Sequence, residues 1–283
     1  MPRRKRRRRE PGPLDVALAA TVHDPRGALR DELRRALPRL LGLYRGIAVA
    51  SSPPTAPRLT TLLAEMGIHA GTPNANVRGP LYRLAIRAAL AHGTGRVHYL
   101  DLDRALHWLR RTSRELRATL QVARLHRVLV IGRTPKAHRS HHLPLYATEV
   151  LLNRLLGGRL GIAERFDLLV PSFVLTRDAA ASLIGRSRAR DAAVYGEWAA
   201  LVAGLDPEIA YLECHGLDWE TPDRHRRAIR RVGLPAWRRH QETSAEWSYR
   251  IDMAEEIKAG FERALARFPL TGTSIRRLAP RVR

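Results

Sequence analysis

Residues 96–103 read Arg-Val-His-Tyr-Leu-Asp-Leu-Asp, a short apolar run that stops in two carboxylates flanking one leucine. The run has the length and the Val and Tyr content of a strand. The residues after it, 104–120, carry leucines at helical spacing. A strand that ends on Asp101-Leu102-Asp103 and passes into a helix predicts an α/β crossover, with both aspartates at the carboxyl end of the strand. Two carboxylates leaving that end can share one hard divalent cation, which prefers oxygen ligands. A local alternative stands beside it: Asp103 as the N-cap of the helix 104–120 and Asp101 as a turn residue at the strand end.

Outward from this stretch the same alternation repeats. Asp15 to Val22 is an apolar run of strand length, consistent with burial on both faces, and His23-Asp24-Pro25 breaks it. Residues 27–44 have helical leucine spacing, with Pro38 expected to kink or divide them. Ile47 to Ala50 reads as a strand, 56–66 as a helix stopped by Gly67, and Ile68 to Ala70 as a short strand. A polar loop, 71–80, leads to Pro80 in the first turn of a helix through about His92. Arg127 to Gly132 is another buried strand. This order predicts an α/β fold: a mostly parallel sheet with helices on both faces and ligands beyond the carboxyl ends of the strands.

The second half is less regular. Lys136 to His142 reads as a mobile His- and Arg-rich surface loop, followed by a helix with Glu149 and Asn153 on one face. Residues 167–176, interrupted by Pro171, predict a bent or edge strand, or two pieces. Helices are expected over 177–184 and 190–203, a last strand over 209–214, and a long helix over 243–268. The division expected is a basic disordered arm at 1–13, one α/β domain at 14–268 with a helical C-terminal region, and a basic coil at 269–283.

The 283 residues carry a net charge of +23, which suggests nucleic acid as a partner. Lys5, Lys136 and Lys258 are the only lysines, and the arginines are spread along the chain on helix faces where solvation explains them. Residues 3–9 form the one true charge block, a solvated tail or an arm for peripheral contact with anionic membrane or RNA. No apolar run reaches membrane-spanning length and no secretory signal pattern opens the chain, so a cytoplasmic protein is the default. Cys214 is the single cysteine, which excludes intrachain disulfides and Cys-cluster zinc sites. The phosphate loop of P-loop NTPases, the Gly-x-Gly-x-x-Gly fingerprint, the Gly-x-Ser-x-Gly elbow and the His-Glu-x-x-His pair are all missing.

Among the remaining polar residues, Arg78 sits in the Gly/Pro loop before a helix N-terminus, a favoured place for a phosphate. Arg133 and Arg139 flank a later loop and can serve likewise. His215-Gly216-Leu217-Asp218-Trp219-Glu220 offers a third metal ligand in His215, two carboxylates in Asp218 and Glu220, and an aromatic ring able to stack on a sugar. It reads equally as a strand-to-helix turn with Trp219 in the core.

From Asp15 to about Thr176 the chain resembles the GT-A fold of nucleotide-sugar transferases. The features that carry it are the opening strand ending in His23-Asp24-Pro25, the Arg78 loop and the Val97-to-Asp103 strand. Thr148-Glu149 with Asn153, Asp167, and the turn around Thr176-Arg177-Asp178 complete them. The resemblance implies Asp24 near the nucleoside, and Asp101 and Asp103 on a Mg²⁺ or Mn²⁺ ion that bridges the diphosphate. Arg78 and Glu149 are the further expected donor contacts. His215 is the expected third ligand, and Asp218 or Glu220 the group for the acceptor hydroxyl. The function so implied is metal-dependent glycosyl transfer from a nucleotide-diphosphate sugar to an unknown acceptor. A sugar-phosphate nucleotidyltransferase and a non-catalytic, nucleic-acid-associated basic protein are the alternatives.

Overall fold

Successive residues of a strand point to opposite faces of its sheet, and in the first strand both faces are apolar. Val16, Leu18, Ala20 and Val22 enter one layer of core while Ala17 and Ala19 enter the other. Such a strand is stable only between two helical layers, and the chain supplies them. The computed structural model describes residues 12–162, 165–169, 172–270 and 274–278. The arginine block at 3–9 lies outside the described residues.

The first half runs β1 (Leu14–Val22), α1 (Arg30–Leu41), β2 (Tyr44–Ser51), α2 (Pro57–Glu65), β3 (His69–Gly71), α3 (Arg78–Ala91), β4 (Arg96–Asp101) and α4 (Leu102–Ala123). It continues through β5 (Val128–Arg133), α5 (Pro135–Arg139), α6 (Leu143–Arg159), β6 (Phe173–Thr176), α7 (Arg177–Arg186), α8 (Ala193–Ala203) and β7 (Glu208–Cys214). A 3-10 turn (Thr221–His225), α9 (Arg226–Val232), α10 (Leu234–Arg239), α11 (Ser244–Arg267) and β8 (Ser274–Leu278) complete the described chain.

The eight strands form one sheet in the order β3-β2-β1-β4-β6-β5-β7-β8, parallel except for β6. Helices α1, α2 and α4 pack on one face and α3, α6, α7, α8 and α11 on the other. Because β1 and β4 are adjacent and parallel, with Thr21 beside Asp101, their carboxyl ends open at one edge of the sheet. No described helix is long and apolar enough to cross a membrane.

Three expectations are corrected. Residues 167–176 hold only a four-residue strand, and it is central: β6 lies antiparallel between β4 and β5, with Phe173, Val174 and Leu175 buried. Pro171 lies outside the described residues. Pro38 sits inside α1 without dividing it. Residues 274–278, read as coil, pair with β7 as a parallel edge strand in which Ile275 packs on the core.

Helix α8 is buried nearly all round, and it meets α11 through two glycines. A Cβ on Gly196 would stand 1.8 Å from the carbonyl oxygen of Ile257, and one on Gly260 would stand 2.1 Å from that of Ala193. Backbone blocks both, so relief requires the helices to separate. Gly196→Ala is therefore expected to cost roughly 1–3 kcal/mol or more, read as a drop of several degrees in Tm, whereas Gly158→Ala, with open space around it, leaves Tm unchanged.

Candidate functional site

The carboxyl ends of β1 and β4 open into a cleft of about 490 Å³, within the range of ordinary small-molecule sites. Thr21, His23 and Ser52 line one side, Asn76, Arg78, Tyr82, Tyr195 and Tyr249 another, and Asp101, Asp103 and Arg224 the third. The strand edge, the start of α3, the 3-10 turn and α11 thus converge on one space.

Helix α4 begins at Leu102, which places Asp101 at the N-cap position and Asp103 in the first turn. The local alternative assigned capping to Asp103. In the structure neither residue behaves so: the Asp101 carboxylate makes no capping bond and instead accepts from Thr21 Oγ1 at 2.6 Å. Asp103 Oδ1 accepts from the adjacent Arg104 N–H, and its Oδ2 from Arg224 Nη2 at 2.8 Å. Both carboxylates keep part of their surface, 24% for Asp101 and 21% for Asp103. Burial raises the Asp101 pKa against the opposing pull of Arg104 and Thr21. Burial, with Glu220 adding its charge, raises Asp103 to about 6.

Arg78 is the first residue of α3, and Gly79 explains its fixed place. The Gly79 N–H bonds to Arg190 O at 2.8 Å, and a Cβ there would meet Ala189 O at 1.9 Å. That neighbouring loop is held by Glu197, whose carboxylate accepts from Ser187 Oγ and from the N–H groups of Arg188 and Ala189. Arg78 Nη2 donates to Tyr249 Oη at 2.7 Å across the cleft.

The other expected residues fall in different places. His23 lines the cleft with its Nδ1 bonded to Ser52 Oγ, whereas Asp24 is buried and its Oδ2 accepts from Leu29 N–H. Asp24 thus shapes the turn after β1. Glu220 lies beside Arg104, 4.0 Å from its Nε, and Glu220 Oε2 is buried without a hydrogen-bond partner among the described residues. His215 is exposed and bonded to Thr134 Oγ1 at 3.0 Å, and it does not join Asp101 and Asp103. Trp219 packs against Trp237 and His142 in the interior, as its core reading had it.

Asp218 serves a clamp. His107 on α4 donates from Nε2 to Asp218 Oδ1 at 2.7 Å and from Nδ1 to Asp223 Oδ2 at 2.5 Å. Only an imidazolium has two N–H donors, so this ring is charged. Burial pulls its pKa down, but the two carboxylates outweigh burial and raise it to about 9. The clamp ties the segment 218–223 to α4 and so sets the place of Glu220 and Arg224.

Glu149 belongs to a second, interior network. Arg133, fully buried, bonds Asp167 through Nε at 2.7 Å and also pairs with Glu149, which is joined by His138 Nε2 at 3.3 Å. Asn153 donates to Asp167 and accepts from Leu168 N–H, so Glu149 and Asn153 do not bond each other. His138, Glu149 and Asp167 bring ligand atoms within 4.8 Å, the grouping of three potential metal ligands among the described residues. Arg133 already answers that charge: against the upward push of burial it holds Glu149 and Asp167 below their ordinary ranges. The mobile-loop reading of residues 136–142 is corrected as well. His138, His141 and His142 are buried, packed on Tyr146 and Trp219, and Arg133 is committed to its ion pairs rather than to a ligand.

Sequence reasoning missed Arg224, Tyr195 and Tyr249, which reach the cleft from distant segments. It also missed Arg104, whose Nε lies 3.7 Å from Asp101 Oδ2.

No protein-family model matches the sequence, and no curated protein matches it significantly. Among solved structures, the chain is similar to glucosyl-3-phosphoglycerate synthase from Mycobacterium tuberculosis in complex with Mg²⁺ and uridine diphosphate. Identity is 14% and the TM-score 0.44, over 70% of this chain and 68% of that one. It is likewise similar to the same enzyme in complex with Mn²⁺, UDP-glucose and phosphoglyceric acid, at 14% identity and a TM-score of 0.45, over 70% and 69%. These are distant likenesses of architecture. The fold is α/β, an eight-stranded, mostly parallel sheet under two helical layers, and the chemistry of the cleft is read from this chain's own residues.

The clamp has a pH signature. His107 has a folded pKa raised to about 9 from 6.5, so its stabilisation is complete below pH 6.5 and is lost as pH rises through 9. Denaturant unfolding of His107→Gln is expected to show a deficit on the order of 2–3 kcal/mol near pH 6 that shrinks at about pH 10. An equal deficit at both values contradicts a charged clamp.

Proposed function

We propose that the cleft binds a nucleotide-diphosphate sugar through a divalent cation on Asp101 and Asp103, and that the protein is a glycosyltransferase. The observation that carries this reading is the pair of partly exposed carboxylates at the end of β4, with raised pKa values, facing a basic and hydroxyl-rich cleft.

The residues present fit a Mg²⁺ or Mn²⁺ ion. The donors are hard carboxylate oxygens, and a bound cation relieves the cost of burying two charged carboxylates side by side. When bound, the ion supplies Lewis-acid stabilisation of the charge that grows on the departing diphosphate. The chain's own groups do the rest. Thr21 fixes the Asp101 carboxylate by a hydrogen bond, which keeps it off the helix terminus. Arg78 and Arg224 both line the cleft and bind phosphate oxygens, with Arg224 shifting from Asp103 toward the ligand. His23 and Ser52, at the ends of β1 and β2, meet the nucleoside in the place expected of Asp24. Glu220, with its unpartnered Oε2, orients or deprotonates the acceptor hydroxyl; Asp218 supports it through the His107 clamp and does not itself act on substrate.

The test is a thermal-shift series on the full chain with UDP, GDP, ADP and their sugars, with and without MnCl₂. One diphosphate, present at about a hundredfold over Kd, is expected to raise Tm by about 5 °C in a manganese-dependent way. Asp101→Asn/Asp103→Asn abolishes the shift, and Arg78→Gln reduces it. No shift with any diphosphate contradicts the reading and favours a protein that uses this fold without turnover.

A further inference from the structure

From Arg224 to Gln241 the chain holds Arg224, Arg226, Arg227, Arg230, Arg231, Arg238 and Arg239, and no Asp or Glu. This stretch folds as two short helices, α9 then α10, joined at Gly233, whose φ of +79° suits glycine. The junction is apolar and open: Val232 is 50% and Leu234 46% exposed, with Pro235 exposed beside them. Arg226 pairs with Asp223 and Arg238 with Glu242. Arg227, Arg230, Arg231 and Arg239 are exposed and have no ion-pair partner among the described residues. The segment is anchored, because Trp237 is buried against Trp219, 5.2 Å between ring centroids, and against His225 at 5.1 Å. Two exposed aliphatic side chains thus flank Gly233, with exposed guanidinium groups on both helices that have no ion pair among the described residues.

We propose that the α9–α10 segment docks the protein on an anionic phospholipid surface. Val232 and Leu234 enter the boundary between headgroups and acyl chains, and the four unpaired arginines meet lipid phosphates. Nucleic acid accounts for the arginines but offers nothing to an aliphatic pair, whereas an anionic bilayer takes both features at once. Arg224, just before α9, also lines the cleft, so docking brings the cleft close to the bilayer surface. The inference is independent of which ligand the cleft holds.

The experiment uses the full chain with vesicles of phosphatidylcholine alone or with roughly a third phosphatidylglycerol. Wild type is expected to sediment with the anionic vesicles and not with the neutral ones. Leu234→Trp, at an exposed position, places a fluorophore at the junction. Its fluorescence in excess of wild type is expected to be quenched by brominated acyl chains. Val232→Ser/Leu234→Ser is expected to lower the partition coefficient about tenfold, with circular dichroism confirming the fold. The basic residues 3–9 also attract anionic vesicles, but they cannot quench a tryptophan at 234. Sedimentation without quenching assigns binding to that arm or another basic face and overturns the proposal. It is equally overturned by no sedimentation, or by tight RNA binding that needs Arg230 and Arg231 while the Ser pair leaves vesicle partition unchanged.

Discussion

Two carboxylates crowded at the end of one strand need positive charge nearby, and much of the second half of the chain is arranged around that need. Asp101 and Asp103 sit where β4 passes into α4, partly removed from water, with Glu220 close enough to add its field. Arg104 and Arg224 approach them from α4 and from the 3-10 turn. Neither arginine is held by the aspartates alone: Arg104 also faces Glu220, and Arg224 belongs to the segment that His107 clamps through Asp218 and Asp223. A charge problem created by a strand end is thus shared between the β4–α4 junction and a 3-10 turn far away in sequence.

The second acidic cluster behaves differently. Asp167 and Glu149 are deeper than the cleft pair, and yet their pKa values fall because Arg133 is buried between them with hydrogen bonds to both. Asp101 and Asp103 shift the opposite way, although two arginines stand near, because burial outweighs those contacts and Glu220 adds its repulsion. The interior carboxylates are tied to a buried arginine and to the packing of α6 on the sheet, and for that reason the proposed cation is placed on the cleft pair and not on His138, Glu149 and Asp167.

Much of the first half was legible because its strands are buried on both faces and its helices carry plain leucine periodicity. The alternation of β1 and the stop at Asp101 placed the carboxylates at the sheet's ligand edge from sequence alone. Arg78 was legible too, through its Gly-Pro loop at a helix start. Asp24 misled because the reading of the strand end did not settle which of His23 and Asp24 faces out; the turn takes Asp24 inward to Leu29 N–H. Lys136 to His142 misled by composition, since three histidines and two basic neighbours resemble a solvated loop. Their burial depends on Trp219 and Tyr146, which no local pattern announces. Arg224 and Tyr249 reach the cleft only through tertiary folding of the C-terminal helices, and single-sequence periodicity carries no such information.

The cleft carboxylates, and not the interior cluster, are proposed to take the divalent ion. Electron paramagnetic resonance of free Mn²⁺ titrated into the full chain with nucleoside diphosphate, against the same titration without protein, counts the ion the protein holds. One bound Mn²⁺ is expected in wild type and in Glu149→Gln, and its loss in Asp101→Asn/Asp103→Asn. Binding that survives the aspartate double variant, or that vanishes with Glu149→Gln while the fold persists, contradicts this placement.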